Sequence, residues 1–173
     1  MDDRKGVMVR PARPDDIRPM ADLLAELFTL ERDFSVDPTV QRRGLRLLLE
    51  DHPRCCVLVA ETAGRVVGMV MVQVLISTAE GGRVGLLEDL LVGDGWRGRG
   101  VGSSLLRAAE EWARERGLLR LQLLADRENH AGLGFYRARR WQVTELVCLR
   151  REGWELPDRA VGLATPAPPQ IRT

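Results

Sequence analysis

Between Trp96 and Ser103 the chain carries glycines at 98, 100 and 102, with arginines at 97 and 99 between them. Glycine tolerates positive φ and lets a ligand approach the main chain closely. Leu105, Leu106, Ala109, Trp112 and Ala113 then recur at helical spacing, so the glycines open directly into a helix. The first N–H groups of that helix have no internal partner and sit at the positive end of its dipole. Arg97 and Arg99 add guanidinium groups, whose planar forks match phosphate oxygens. The chemistry of Arg97, Gly98, Arg99, Gly100, Val101, Gly102 and Ser103 is therefore that of an anion cradle.

Several ligands suit such a cradle. A nucleotide P-loop needs a lysine directly after the glycines, and the chain's one lysine is Lys5. A dinucleotide fold is compatible with Gly98-x-Gly100 before a helix, a following strand from Leu118, and Asp126 near a ribose-binding position. Against it, Ser103 stands at the third glycine position and little chain remains for a full dinucleotide domain. A plain tight turn is the third alternative.

The elements that must position the cradle follow from periodicity. Val7 to Arg10 reads as a strand, and Pro14 to Glu31 as a helix with Leu23, Leu24, Leu27 and Leu30 on one face. Pro38 to Glu50 is a second helix, weakened by Gly44. Arg54 to Glu61 and Val66 to Ser77 form a hairpin about Ala63-Gly64, and Gly85 to Val92 is the central strand. The phosphate helix spans Gly100 to Arg116, a strand Leu118 to Ala125, a helix Ala131 to Arg139, and one or two last strands Trp141 to Arg150. Residues 1–156 are expected to form a single domain; 157–173, with four prolines in seventeen residues, is expected to be a disordered tail.

Composition bounds the function. At 173 residues, 45% hydrophobic and 29% charged, the chain suits one globular domain. No apolar run approaches the ~18 residues of a membrane span, and Met1-Asp2-Asp3-Arg4-Lys5 lacks a signal-peptide core, so a cytoplasmic protein is expected. Cys55, Cys56 and Cys148 lack metal-ligand spacing and only two histidines are present, so no metal is expected; the cysteines read as small apolar residues. A net charge of +1 without a basic-aromatic stripe argues against nucleic acid. The charge is unevenly spread: residues 15–51 carry net −4 and residues 96–151 net +6. A positive half suits a polyanionic ligand and an acidic half a cationic one, although each could equally be a solvated helix face.

Arg97-x-x-Gly100-x-Gly102 after an apolar strand resembles the acyl-CoA pyrophosphate loop of the GCN5-related N-acetyltransferases (GNAT). Asn129-His130-Ala131 followed by Phe135-Tyr136, then Arg137 to Trp141, is similar to that family's later motif. Val7 to Ala12 with Asp15-Asp16-Ile17 resembles its opening strand and helix, and the likeness covers about residues 7 to 151. Two positions depart from it: Asp94 replaces the usual proline before the loop, and Arg140 the usual glycine before the final aromatic.

The resemblance implies an α/β sandwich, the acyl-CoA N-acyltransferase fold: a mixed, mostly antiparallel sheet of six to seven strands flanked by about four helices. It implies acetyl-CoA as co-substrate and a primary amine of a small molecule or protein as acceptor, in a homodimer; the alternative is a non-catalytic CoA-binding sensor or scaffold. The family's central strand bulges away from its neighbour, so Leu90, Leu91 and Val92 would offer main-chain groups to the pantetheine and thioester. Tyr136, the chain's one tyrosine, falls where the family's hydroxyl faces the coenzyme sulfur and would protonate the leaving thiolate, burial closing the gap between the two pKa values. Asn129 would hold pantetheine, cap the following helix, or both. A carboxylate must take the amine's proton, directly or through water. Strict alternation would set Glu88 on one face with Leu90 and Val92, and Asp89 on the other with Leu91; Glu88 is favoured over Asp89.

Overall fold

The computed structural model describes residues 6–28 and 37–151. Five strands, β1 (Met8–Pro11), β2 (Cys55–Thr62), β3 (Arg65–Ser77), β4 (Gly82–Val92) and β5 (Leu121–Leu123), lie in chain order in one sheet. β1 to β4 pair antiparallel and β5 joins β4 in parallel. The helices are α1 (Ile17–Phe28), α2 (Pro38–Glu50), α3 (Val101–Glu115) and α4 (His130–Arg137). The architecture is the expected mixed, mostly antiparallel sheet with four helices, with five strands among the described residues against the six or seven expected.

Alternation along the strands sorts two cores onto opposite faces. Cys56, Leu58, Ala60, Val70, Val72 and Leu87 pack with Leu105, Leu106 and Ala109 of α3. Val57, Val59, Met69 and Met71 pack with Met20, Leu23 and Leu24 of α1 and Leu45 of α2. Helices α1 and α2 thus cover one face and α3 the other.

Local signals set most boundaries. Asp37 caps α2, its carboxylate accepting from the N–H groups of Thr39 (2.9 Å) and Val40 (3.3 Å), with Pro38 in the first turn. Ala63 (φ +46°) and Gly64 (φ +74°) are both left-handed, the turn geometry that continues the twist of a two-residue hairpin. Arg10 lies beneath the start of α1 and is forked between Asp16 (2.7 and 3.0 Å) and Glu61, tying β1 and β2 to that helix. Asp16 also accepts from the Arg13 N–H at 2.7 Å, and the Arg10 guanidinium holds its carboxyl below the usual carboxylate range.

Three expectations are corrected. Pro14–Asp16 is a separate 3-10 turn, and α1 is described as far as Phe28, Glu31 lying outside the described residues. The strand expected over Leu118 to Ala125 shrinks to Leu121–Leu123, because β4 leaves the ladder after Leu87. Trp141 to Arg150 forms no strand: its apolar residues nominate one, but a strand exists only where a ladder partner is paired. All described elements fall in a unit ending at Gln142; a second unit starts at Val143, and its described part, Val143 to Arg151, contains no helix or strand. The expected tail, 157–173, lies outside the described residues. No helix among the described residues is long and apolar enough to cross a membrane.

Candidate active site

The site is organised by an irregularity in β4. Met69 pairs with Leu91 and Met71 with Glu88, so Asp89 and Leu90 together oppose Val70 alone. That is a β-bulge, and its extra residue, Asp89, adopts φ +49°. The bulge overturns the expected alternation. Glu88 lies opposite Met71, a residue of the α1–α2 core, and Leu91 packs there too; Leu90 and Val92 pack with α3 instead. Glu88 therefore does not share a face with Leu90 and Val92, because one inserted residue reverses the phase of everything after it.

β5 pairs only with Gly85, Leu86 and Leu87, so among the described residues β4 beyond the bulge has no strand neighbour on that side. The Gly93 N–H donates to the Val67 carbonyl (3.0 Å), and Leu91 lies opposite Met69 in β3. By alternation the main-chain groups of Leu90 and Val92 point the other way, into the gap. The Val92 carbonyl there accepts from Arg97 Nε at 3.1 Å.

The glycine loop borders this gap. Gly98 (φ +72°) and Gly100 (φ +84°) are left-handed, and a Cβ at either would meet nothing within 4 Å, so their backbone lies bare. Gly100 is the N-cap of α3 and offers no side-chain cap. The Ser104 N–H is bonded back to the Gly100 carbonyl (3.1 Å); those of Val101, Gly102 and Ser103 precede the helical ladder and are its free-end donors. Gly102 is placed differently: a Cβ there would stand in ordinary contact, 3.5 Å from both Phe135 and Val92, where α3, α4 and β4 meet. Asp94, in proline's place, opens a 3-10 turn and pairs with Arg97 at 3.4 Å, which draws Arg97 toward β4; Arg99 lies over the Trp96 ring at 5.1 Å.

Asn129 caps α4, its Oδ1 accepting from the Gly132 N–H at 2.8 Å. Tyr136 packs on the α3-side core between Phe135 (edge-on, 5.3 Å) and Trp141 (5.6 Å). Burial pushes its phenol up to about 12, which makes it a weaker acid and acts opposite to the expected closing of the gap to a thiol. Sequence reasoning missed Arg139. Its guanidinium covers the Phe135 ring at 3.7 Å, donates to the Phe135 carbonyl at 2.7 Å and reaches the Ser103 hydroxyl, fastening α4 to the first turn of α3. Only its i+4 spacing from Phe135 hinted at this.

Of the two carboxylates, Glu88 accepts from the Gln73 amide on the α1–α2 face, and Asp89 forms the bulge. His130 begins α4 with an exposed side chain 4.0 Å from Glu128. Cys56 is buried in the core, its thiol pushed up to about 12 by desolvation, which suits packing and not nucleophilic attack. Among the described residues no group of three or more His, Cys, Asp or Glu could hold a metal ion.

The model of the acetyltransferase (GNAT) family matches residues 17–140. An uncharacterized N-acetyltransferase of Methanocaldococcus jannaschii is 32% identical over 97 residues, 56% of this chain but only 41% of that protein's length. An uncharacterized N-acetyltransferase of Bacillus subtilis is 29% identical over 131 residues, 74% of this chain and 85% of its own. In fold, a possible acetyltransferase from Clostridium difficile 630 superposes with a TM-score of 0.76 at 19% identity, over 86% of this chain and 99% of that one. With the family match extending from the start of α1 through the end of α4, this chain belongs to the GNAT family of acetyltransferases.

Proposed function

We propose that the protein transfers an acetyl group from acetyl-CoA to a primary amine by direct attack within a ternary complex. One observation carries this reading: the splayed end of β4 turns the main-chain N–H groups of Leu90 and Val92 away from its described strand neighbours, beside an uncapped helix N-terminus. Acetyl-CoA supplies an acyl group already activated on a thiol. The N–H groups of Val101, Gly102 and Ser103, the bare backbone at Gly98 and Gly100, and Arg97 and Arg99 suit its pyrophosphate. The N–H groups of Leu90 and Val92 donate toward a carbonyl in the gap, where fixed dipoles need no reorganisation as negative charge develops. Leu91 holds the strand to β3.

Glu88 takes the proton of the attacking ammonium, directly or through water, from the α1–α2 side. Gln73 orients that carboxylate. Tyr136, protonated at neutral pH, donates its hydroxyl proton toward the departing sulfur from the α3–α4 side and regains it from solvent. The acidic balance of residues 15–51 suits a cationic acceptor, a small polyamine-like molecule or a lysine side chain, and the excess of arginine over residues 96–151 suits the polyanionic coenzyme. Calorimetric titration with acetyl-CoA and with NAD, followed by an amine panel read by thiol release, tests the reading. Saturable acetyl-CoA binding and amine-dependent thiol release are expected; absence of acetyl-CoA binding overturns it.

A further inference from the structure

Arg140 stands where the related motif carries glycine, and the backbone explains the glycine. α4 ends in a left-handed cap: the Trp141 N–H donates to the Tyr136 carbonyl (3.1 Å) and the Arg140 N–H to that of Arg137 (3.0 Å). Arg140 is the left-handed residue of that cap, at φ +66°. An arginine in this conformation is disfavoured against glycine, and nothing in the cap requires its side chain.

That side chain lines an open cleft of about 390 Å³ between α3 and the end of α4, together with Ser103, Arg107, Arg139 and Glu110. Arg139 is committed to Ser103 and Phe135, and Glu110 accepts from the Trp141 indole at 3.0 Å. Among the described residues Arg107 and Arg140 have no ion-pair partner. The cleft begins at Ser103, on the pyrophosphate loop, and reaches Arg107 one turn further along α3, about 6 Å away. In coenzyme A the 3′-phosphate hangs from the same ribose as the pyrophosphate, a comparable distance along the molecule.

We infer that Arg107 and Arg140 bind the 3′-phosphate of the coenzyme, and that this cleft sets its preference for CoA over 3′-dephospho-CoA. The inference rests on acetyl-CoA being the donor. A phosphomonoester dianion is matched by two guanidinium groups, and three arginines against one carboxylate leave the cleft positive.

The test is calorimetric titration of the full chain with acetyl-CoA and with acetyl-3′-dephospho-CoA, in the wild type, Arg107→Gln and Arg140→Gly. The wild type should bind the phosphorylated coenzyme at least about tenfold more tightly, the equivalent of one charge-assisted contact. Each substitution should shrink that ratio severalfold, and Arg140→Gly should also raise the melting temperature by relieving the left-handed arginine. Equal affinities for the two coenzymes in the wild type, with acetyl-CoA still bound, would overturn the cleft assignment and leave the donor standing. Binding of neither overturns both. A preference unmoved by either substitution removes these two arginines as its source.

Discussion

Gly100→Ala isolates the backbone requirement of the loop from any steric one. The residue sits at φ +84°, ψ 0°, as N-cap of α3, and an added Cβ would meet no atom within 4 Å. The substitution therefore introduces no clash, only an L-residue in the left-handed region at about 1–2 kcal/mol. Restricting the unfolded chain returns about 0.4–1 kcal/mol, which leaves a net loss near ~1 kcal/mol and a fall of about 2–4 °C in melting temperature. Gly44→Ala supplies the control. Gly44 lies inside α2, also with nothing within 4 Å of its Cβ, but its φ is not positive. Alanine there should stabilise by about 0.8–1 kcal/mol from helix propensity. The same methyl group thus has opposite effects at two equally open positions, separated by about 4–8 °C in thermal unfolding followed by circular dichroism. Acetyl-CoA affinity should fall in Gly100→Ala, because relaxing the strain reorients the N–H groups ahead of Ser104. A Gly100→Ala protein as stable as the wild type, with unchanged coenzyme affinity, would refute the conformational argument for the loop.

Four further outcomes are expected. Asp16 has its pKa lowered by Arg10, so its contribution to stability is present above about pH 4 and lost as pH falls through the folded-state value; urea unfolding of Asp16→Asn should show a weaker acid dependence than the wild type. Asp16→Ala, which leaves the mostly buried Arg10 with Glu61 alone, should cost about 1.5–3 kcal/mol, the loss of charged hydrogen bonds. Asn129→Ala removes the cap of α4 and should cost ~1 kcal/mol, read as a lower urea midpoint at constant slope. Tyr136→Phe should lower kcat by about 10²-fold at unchanged acetyl-CoA affinity; equal turnover removes the hydroxyl from the mechanism.

Much of the fold is legible in local chemistry. α2 begins where Asp37-Pro38 says it must, and the hairpin turns at Ala63-Gly64, because capping and left-handed turns are decided within a few residues. The glycine loop is legible for the same reason. What depends on distant partners is not. β5 is cut to three residues by a departure in β4, and the apolar pattern of Trp141 to Arg150 does not specify a ladder partner. Arg139 was equally invisible, since its target, Ser103, lies 36 residues away. The two positions that break the resemblance were visible as oddities, and only the structure shows what each does: Asp94 pairs with Arg97, and Arg140 fills a left-handed cap.

The bulge also separates the two carboxylates experimentally. Asp89 holds φ +49°, a region that asparagine and aspartate enter at low cost and β-branched residues hardly at all. If its role is to form the bulge, Asp89→Asn should retain stability within about 0.5 kcal/mol and turnover within a few-fold. Asp89→Val should lose about 1–3 kcal/mol and most of the activity, because a straightened β4 would turn Leu90 and Val92 out of the gap. Glu88→Gln should behave differently from both, keeping stability while lowering turnover. A charge-dependent loss at Asp89→Asn with no change in stability would move the base from Glu88 to Asp89. The strand would then hold its catalytic carboxylate on the bulge itself, and Glu88 would be reduced to its contact with Gln73.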